Sequence, residues 1–220
     1  MFEAVIFDLD GTLLNTLDDL ADSANHVLLE HGFSTYPTEK YKTFVGNGIP
    51  KLIERVLPDG VSKDIFEETL SEFKVYYGEH KNDKTAPYDG ITEMLVKLKE
   101  RGVKLCVLSN KQHEIAREVI KYYFGDDLFD IVMGKAEQFP TKPDPASCNY
   151  VISKLNIPKS NILYAGDSNV DMITASNAGL VKCGVSWGFR SVEELTIAGA
   201  DYIAHEPGDI VKITLGDNYK

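Results

Sequence analysis

The 220-residue chain is 43% hydrophobic and 26% charged, which suits one large globular domain, or a domain of roughly 150 residues with a smaller companion. Its formal net charge of −11 argues against non-specific binding to nucleic-acid phosphates and to anionic membrane surfaces, both of which attract Lys and Arg. No apolar run approaches the ~20 residues that a membrane-spanning helix needs.

The first residues, Met1-Phe2-Glu3-Ala4-Val5, lack a basic region followed by a long apolar stretch, so no secretory leader is expected. Residues 4–7 form a short apolar run closed by Asp8, the pattern of a buried strand. From 15 to 81 the chain reads as helical, with patterns over 18–30, 38–44, 50–57 and 65–77 and no convincing strand. Asn15 or Thr16 can cap the first of these helices, and Asp18 and Asp19 sit favourably in its first turn. Strand-like runs resume at 103–108, 129–133 and 162–165, with a weaker one at 181–185 that Lys182 and Gly184 interrupt. Helical spacing separates them at 91–101, 115–123, 145–155 and 170–178; Gly102 and Gly179 stop two of these helices and Pro145 starts another.

Near-continuous apolar strands alternating with helices predict an α/β fold, a Rossmann-like, doubly wound parallel sheet buried on both faces. The helical stretch predicts an insertion: a core of residues 1–14 and 82–220, and a helical cap of 15–81, with weak points at the crossings near 13–17 and 80–86. The three cysteines, Cys106, Cys148 and Cys183, have no metal-ligand spacing and are a poor disulfide framework. A reducing, cytoplasmic setting is the expectation.

Ligands of open parallel sheets bind at the carboxyl ends of the strands. Here those ends carry Asp8-Leu9-Asp10-Gly11-Thr12, Ser109-Asn110-Lys111 and Gly166-Asp167-Ser168-Asn169-Val170-Asp171, with Lys142 in a further loop. Asp8 and Asp10 repel one another unless a cation lies near them, and Asp167 and Asp171 add acidic oxygen at another strand end. That is a hard-cation site suited to Mg2+. A calcium EF-hand loop starting at Asp8 fails, because Leu13 stands where Gly is needed and a strand precedes it. The Ser109 hydroxyl and nearby N–H groups suit phosphate oxygens, and the proline-stiffened loop Thr141-Lys142-Pro143-Asp144-Pro145 can aim an ammonium inward. No Gly-x-Ser-x-Gly elbow and no Walker P-loop is present.

These segments together resemble the haloacid dehalogenase superfamily, and within it the phosphoglycolate phosphatase-like proteins with a helical cap. Phe7-Asp8-Leu9-Asp10-Gly11-Thr12-Leu13 is similar to the first motif, Ser109-Asn110 with Lys111 to the second, Lys142-Pro143-Asp144-Pro145 to the third, and the segment 166–171 to the fourth. The resemblance implies a magnesium-dependent phosphatase of small phosphate monoesters, phosphoglycolate or a similar small phosphorylated metabolite being the default substrate. It implies Asp8 as covalent nucleophile and Asp10 as acid and base. Ser109, Asn110 and Lys142 would bind phosphate, and Asp8, Asp10, Asp167 and Asp171 would serve the metal. In the cap, Gly46-Asn47-Gly48 with Lys51 is similar to a substrate-facing loop, so Asn47 and Lys51 are the specificity candidates. A sugar-phosphate mutase of the same superfamily is the nearest rival, disfavoured by Thr12, which such relatives often lack; a phospho-acceptor or binding module is the rival from another class. Asp10 also disfavours a dehalogenase.

Overall fold

Continuously buried strands and helical periodicity between them organise the chain, whose computed structural model describes residues 1–216. β1 (Ala4–Phe7) is wholly buried. The chain leaves it through β2 (Leu14–Asn15), passes through α1 (Leu17–Glu30), α2 (Thr38–Phe44), α3 (Ile49–Val56) and α4 (Lys63–His80), and returns through β3 (Ala86–Pro87). Next come α5 (Ile91–Glu100), β4 (Lys104–Gln112), α6 (His113–Phe124), β5 (Ile131–Lys135) and α7 (Ala146–Leu155). The described residues end with β6 (Ile162–Gly166), α8 (Asn169–Ala178), β7 (Val181–Val185), α9 (Val192–Ile197), β8 (Tyr202–Ala204) and α10 (Pro207–Leu215).

Six strands pair in the order β5-β4-β1-β6-β7-β8, every pairing parallel. On β1, Val5 and Phe7 join a cluster with Leu95 of α5, Val119 of α6 and Ile210 of α10. Ala4 and Ile6, on the opposite face, join Val151 of α7 and Ala175 of α8. Burying both faces explains the unbroken apolar reading of β1, and Phe7→Ala would cost about 3–5 kcal/mol through the cavity it leaves. From β1 the chain builds β4 on one side and β6 on the other. That reversal opens a crevice beyond the carboxyl ends of β1, β4 and β6.

The helices α1 to α4 bury a cluster of their own, which includes Leu20, Leu28, Tyr41, Ile53, Phe73 and Tyr77. α1 places Leu17, Leu20, Ala21, Ala24, Val27 and Leu28 on one stripe, the spacing of an amphipathic helix. Ile115 and Phe189 pack against this cluster from the sheet side.

The two crossings expected to be weak points pair with each other. Leu14 lies opposite Pro87 and Asn15 opposite Ala86, in an antiparallel ribbon. Buried Asp19 reinforces it by accepting from the backbone N–H of Lys84 and of Thr85, each at 2.9 Å. Thr16 occupies the N-cap of α1 without a side-chain cap bond, while Asn15 accepts a long 3.4 Å bond from Leu17 N–H.

Two sequence expectations are corrected. β4 continues through Ser109-Asn110-Lys111 to Gln112, past the end that the 103–108 pattern gives it; its register with β5 shifts between Leu108 and Gln112. Such a bulge re-aims side chains while prolonging the strand. Gly134 accommodates it, because a Cβ there would lie 2.6 Å from Lys111 O. The second correction is the C-terminal layer of α9, β8 and α10, which the periodicity did not reveal. β8 is three residues at the sheet edge and α9 six residues, too short for either period to register.

Candidate active site

The acidic site residues stand where elements begin or end, and Ser109, Asn110 and Lys111 lie on the last stretch of β4. Asp8 follows β1 and Asp167 follows β6. Asp171 is the third residue of α8, in a capping box with Ser168: it accepts from Ser168 Oγ at 2.6 Å and Ser168 N–H at 3.2 Å through Oδ2. Lys142 reaches in from the loop before α7. Its ammonium donates to Asp171 Oδ1 at 2.7 Å, Leu108 O at 3.0 Å and Tyr164 OH at 3.2 Å. It also lies 2.9 Å from Asp8 Oδ1, an ion pair without hydrogen-bond alignment.

Asp8, Asp167 and Asp171 are all buried, and one oxygen of each lies within 4.8 Å of the others. Three clustered carboxylates thus share one buried ammonium, which pairs with Asp8 and Asp171. Burial, then repulsion from Asp171, pushes Asp8 up to about 7 despite Lys142. Burial and repulsion from Asp171 and Asp8 raise Asp167 well above the usual carboxylate range. Lys142 resists the desolvation that burial imposes: Asp171 and Asp8 hold it well above the ordinary lysine range. Excess buried negative charge on hard oxygen donors fits a divalent cation, and an all-oxygen set suits Mg2+, Mn2+ or Ca2+. The surroundings fit too. Gly11, at φ +84, and Gly188 both approach Asp167 so closely that a Cβ on either would collide with its carboxylate. Asp167 Oδ2 is fixed by Phe189 N–H at 2.7 Å.

Asp10 occupies a second, electrically balanced corner. Its Oδ1 accepts from Lys111 Nζ at 2.8 Å, and the same ammonium donates to Tyr77 OH of α4 at 2.7 Å. Burial opposes the charge on Lys111, but Asp10 and Tyr77 raise it above the ordinary lysine range. Ser109 Oγ accepts from Lys111 N–H at 3.2 Å. Asn110 bridges three segments: its amide donates to Gly46 O at 3.0 Å and Lys142 O at 3.2 Å, and its Oδ1 accepts from Lys142 N–H at 2.8 Å. Its side chain therefore sets the Lys142 loop in place.

A cavity lies over these groups. Asp8, Asp10, Ser109, Asn110 and Lys111 form one wall; Leu20, Val45, Gly46, Gly48, Ile49 and Leu52 form the other. Asn47 and Lys51 are not among its lining residues. Asn47 Oδ1 accepts from Arg55 at 2.8 Å, and Lys51 pairs with Glu54 at 2.6 Å on the surface. The structure adds residues to which the sequence reading gave no role. Lys111 and Tyr77 hold Asp10, Phe189 holds Asp167, and Arg190 joins the sheet side to the helical side by donating to Val45 O at 2.9 Å. Lys111 carried a signal, since it adjoins Ser109-Asn110; Tyr77 looked like any buried helix residue.

An all-parallel Rossmann-like sheet with clustered carboxylates and a buried lysine at its carboxyl edge, facing a helical insertion, defines a hydrolase of the phosphoric monoester class. The chain belongs to the haloacid dehalogenase-like hydrolase family, whose sequence profile matches residues 5–185, and within it to the phosphoglycolate phosphatase-like group. It is 33% identical over 220 residues to a phosphoglycolate phosphatase of Haemophilus influenzae (strain 86-028NP), covering 96% of this chain and 98% of that one. It is 33% identical over 198 residues to a phosphoglycolate phosphatase of Neisseria gonorrhoeae, covering 88% and 84%. A crystal structure from Lactobacillus delbrueckii subsp. bulgaricus, provisionally named phosphoglycolate phosphatase, superposes with a TM-score of 0.93 at 30% identity, covering 98% of this chain and 99% of that one.

Proposed function

We propose that the chain is a magnesium-dependent phosphatase that hydrolyses small phosphate monoesters through an aspartyl-phosphate on Asp8, with phosphoglycolate or a similar small phosphorylated metabolite as substrate. The observation that carries this reading is the position of Asp8, at the end of the central strand, ion-paired with Lys142 and facing the cavity it shares with Asp10. In the first step an Asp8 oxygen forms a bond to phosphorus while the bond to the leaving oxygen breaks. Asp10 gives that oxygen a proton. In the second step Asp10 takes a proton from water, which attacks the aspartyl-phosphate and restores Asp8. Ser109 and Lys142 hold the phosphoryl oxygens.

Asp8, the backbone carbonyl of Asp10, and Asp167 would hold Mg2+, with Asp171 in support. When bound, the cation offsets phosphoryl charge and keeps Asp8 ionised. Asp171 suits a supporting role, because both of its oxygens already accept hydrogen bonds.

In the same reading, residues 1–14 and 82–220 are the catalytic core, and 15–81 is a cap that excludes water and contacts the leaving group. The narrow apolar cap wall of Val45, Ile49 and Leu52 favours a small substrate over a sugar phosphate. The test is phosphate release from a panel of monoesters with Mg2+, with EDTA, and with Asp8→Asn. Magnesium-dependent release that Asp8→Asn abolishes supports the reading. Isomerisation of a sugar phosphate without release replaces it with a mutase, and stoichiometric phosphorylation without turnover replaces it with an acceptor module.

A further inference from the structure

The Asp10 corner contains more structure than an acid–base group requires. Lys111 is a buried lysine on the bulged part of β4. Its ammonium has three donors. One goes to Asp10 Oδ1 and one to Tyr77 OH. The ammonium also lies 5.0 Å from the centroid of the Tyr77 ring, within cation–π range. Tyr77 is 1% exposed, stacks on Phe73 at 5.5 Å and belongs to the apolar cluster of the four inserted helices. A continuous chain of contacts therefore runs from the packing of α4 to the Asp10 carboxylate. With Oδ1 held by Lys111, Oδ2 is the oxygen left for the leaving group.

We propose that Lys111 is a positioning residue, which aims the Asp10 carboxylate and, through Tyr77, makes that aim depend on α4 being seated against the sheet. The inference rests on the reading of Asp10 as proton donor and acceptor. In that step the electron pair of the breaking P–O bond passes to the leaving oxygen, which takes the proton from Asp10 Oδ2. An alkoxide needs this proton; a nitrophenolate leaves without it. In the phosphorylation step, which kcat/KM reports, a misaimed Asp10 therefore penalises alkyl phosphates and spares aryl ones, while the water step that follows slows kcat for both; general loss of packing lowers kcat/KM for both.

The experiment measures kcat and KM with Mg2+ for an alkyl phosphate, 2-phosphoglycolate or glycerol phosphate, and for 4-nitrophenyl phosphate. It compares wild type, Lys111→Met, Tyr77→Phe and the double variant, with Asp8→Asn and Asp10→Asn as references. Lys111→Met is expected to lower kcat/KM on the alkyl phosphate by about 30- to 100-fold and on the aryl phosphate by less than about 3-fold. Tyr77→Phe keeps the ring and its packing; it should show the same leaving-group preference at about 3- to 10-fold and add little in the double variant. It carries the test alone if Lys111→Met does not fold. Equal losses of kcat/KM on both leaving groups would overturn the proposal, as would additivity or an inert Tyr77→Phe. A rise in KM confined to carboxylate-bearing substrates would also overturn it, since the ammonium would then be reading the substrate. The underlying reading fails separately: Asp10→Asn would show no leaving-group preference, or Asp8→Asn would still turn over 4-nitrophenyl phosphate.

Discussion

Lys142 and Lys111 are buried to nearly the same extent, 4% and 5% exposed, and each ammonium lies within 3 Å of a carboxylate. Their surroundings differ in charge. Lys142 pairs with Asp8 and Asp171, with Asp167 beside them, so its corner is short of positive charge and the pKa values of Asp8 and Asp167 are raised. Lys111 is matched one to one with Asp10 and closed off by a phenol. A buried site left deliberately unbalanced requires a further cation to complete it; a balanced one holds geometry. Neither distinction is visible from the residue types, since both corners read as lysine beside aspartate.

The largest break in this comparison is Asp8→Asn. Phosphate release should fall by about 10,000-fold, because the proposed nucleophile is gone while the other phosphate and metal ligands remain. Steady-state release from 2-phosphoglycolate measures it. Lys142→Met comes next, and should act on stability as well as rate. It leaves buried carboxylates unpaired, at a cost of about 3–5 kcal/mol in EDTA by urea unfolding. Asp171→Asn in the Lys142→Met background should restore part of that loss, as coupled neighbours do. No restoration would mean the two groups are not energetically linked.

The pH dependence of stability separates the corners further. The folded pKa of Asp8, about 7 against an ordinary 3.8, is raised by burial and by Asp171. The protonated form is therefore favoured on folding, and its contribution is present below about pH 4 and lost as pH rises through 7. In EDTA, Tm should decline from pH 5 to pH 8. Mg2+ or Asp8→Asn should flatten the decline, and a slope unchanged by both would show that Asp8 is not its source. The smallest effect is Lys51→Ala: its surface pair with Glu54 predicts less than about 0.5 kcal/mol in stability and no change in kcat/KM.

The sequence made the strand ends legible because buried parallel strands are short, apolar and sharply terminated. β1 and β6 end where the pattern places them, and Asp8, Asp167, Asp171 and Lys142 converge. What stayed hidden depends on partners distant in the chain. Tyr77 meets Lys111 across 34 positions, and Arg190 meets Val45 across 145. No local period encodes such pairs. A Gly-bounded turn shows where a chain bends but not which way its side chain points, and the Asn47 amide oxygen accepts from Arg55. The bulge at 108–112 was invisible because a continued strand and a turn share polar residues.

The ribbon of β2 and β3 has one more implication. Asn15 and Ala86 are cross-strand partners, so their Cα atoms are about 5 Å apart. The four helices thus leave the sheet unit and rejoin it at a single doorway. A segment whose two ends coincide can be exchanged, lengthened or excised without stretching its host. Joining Asn15 to Ala86 through a tight turn should leave the sheet's chain path intact, and grafting another module at that doorway would change what reaches the strand ends while leaving their residues in place.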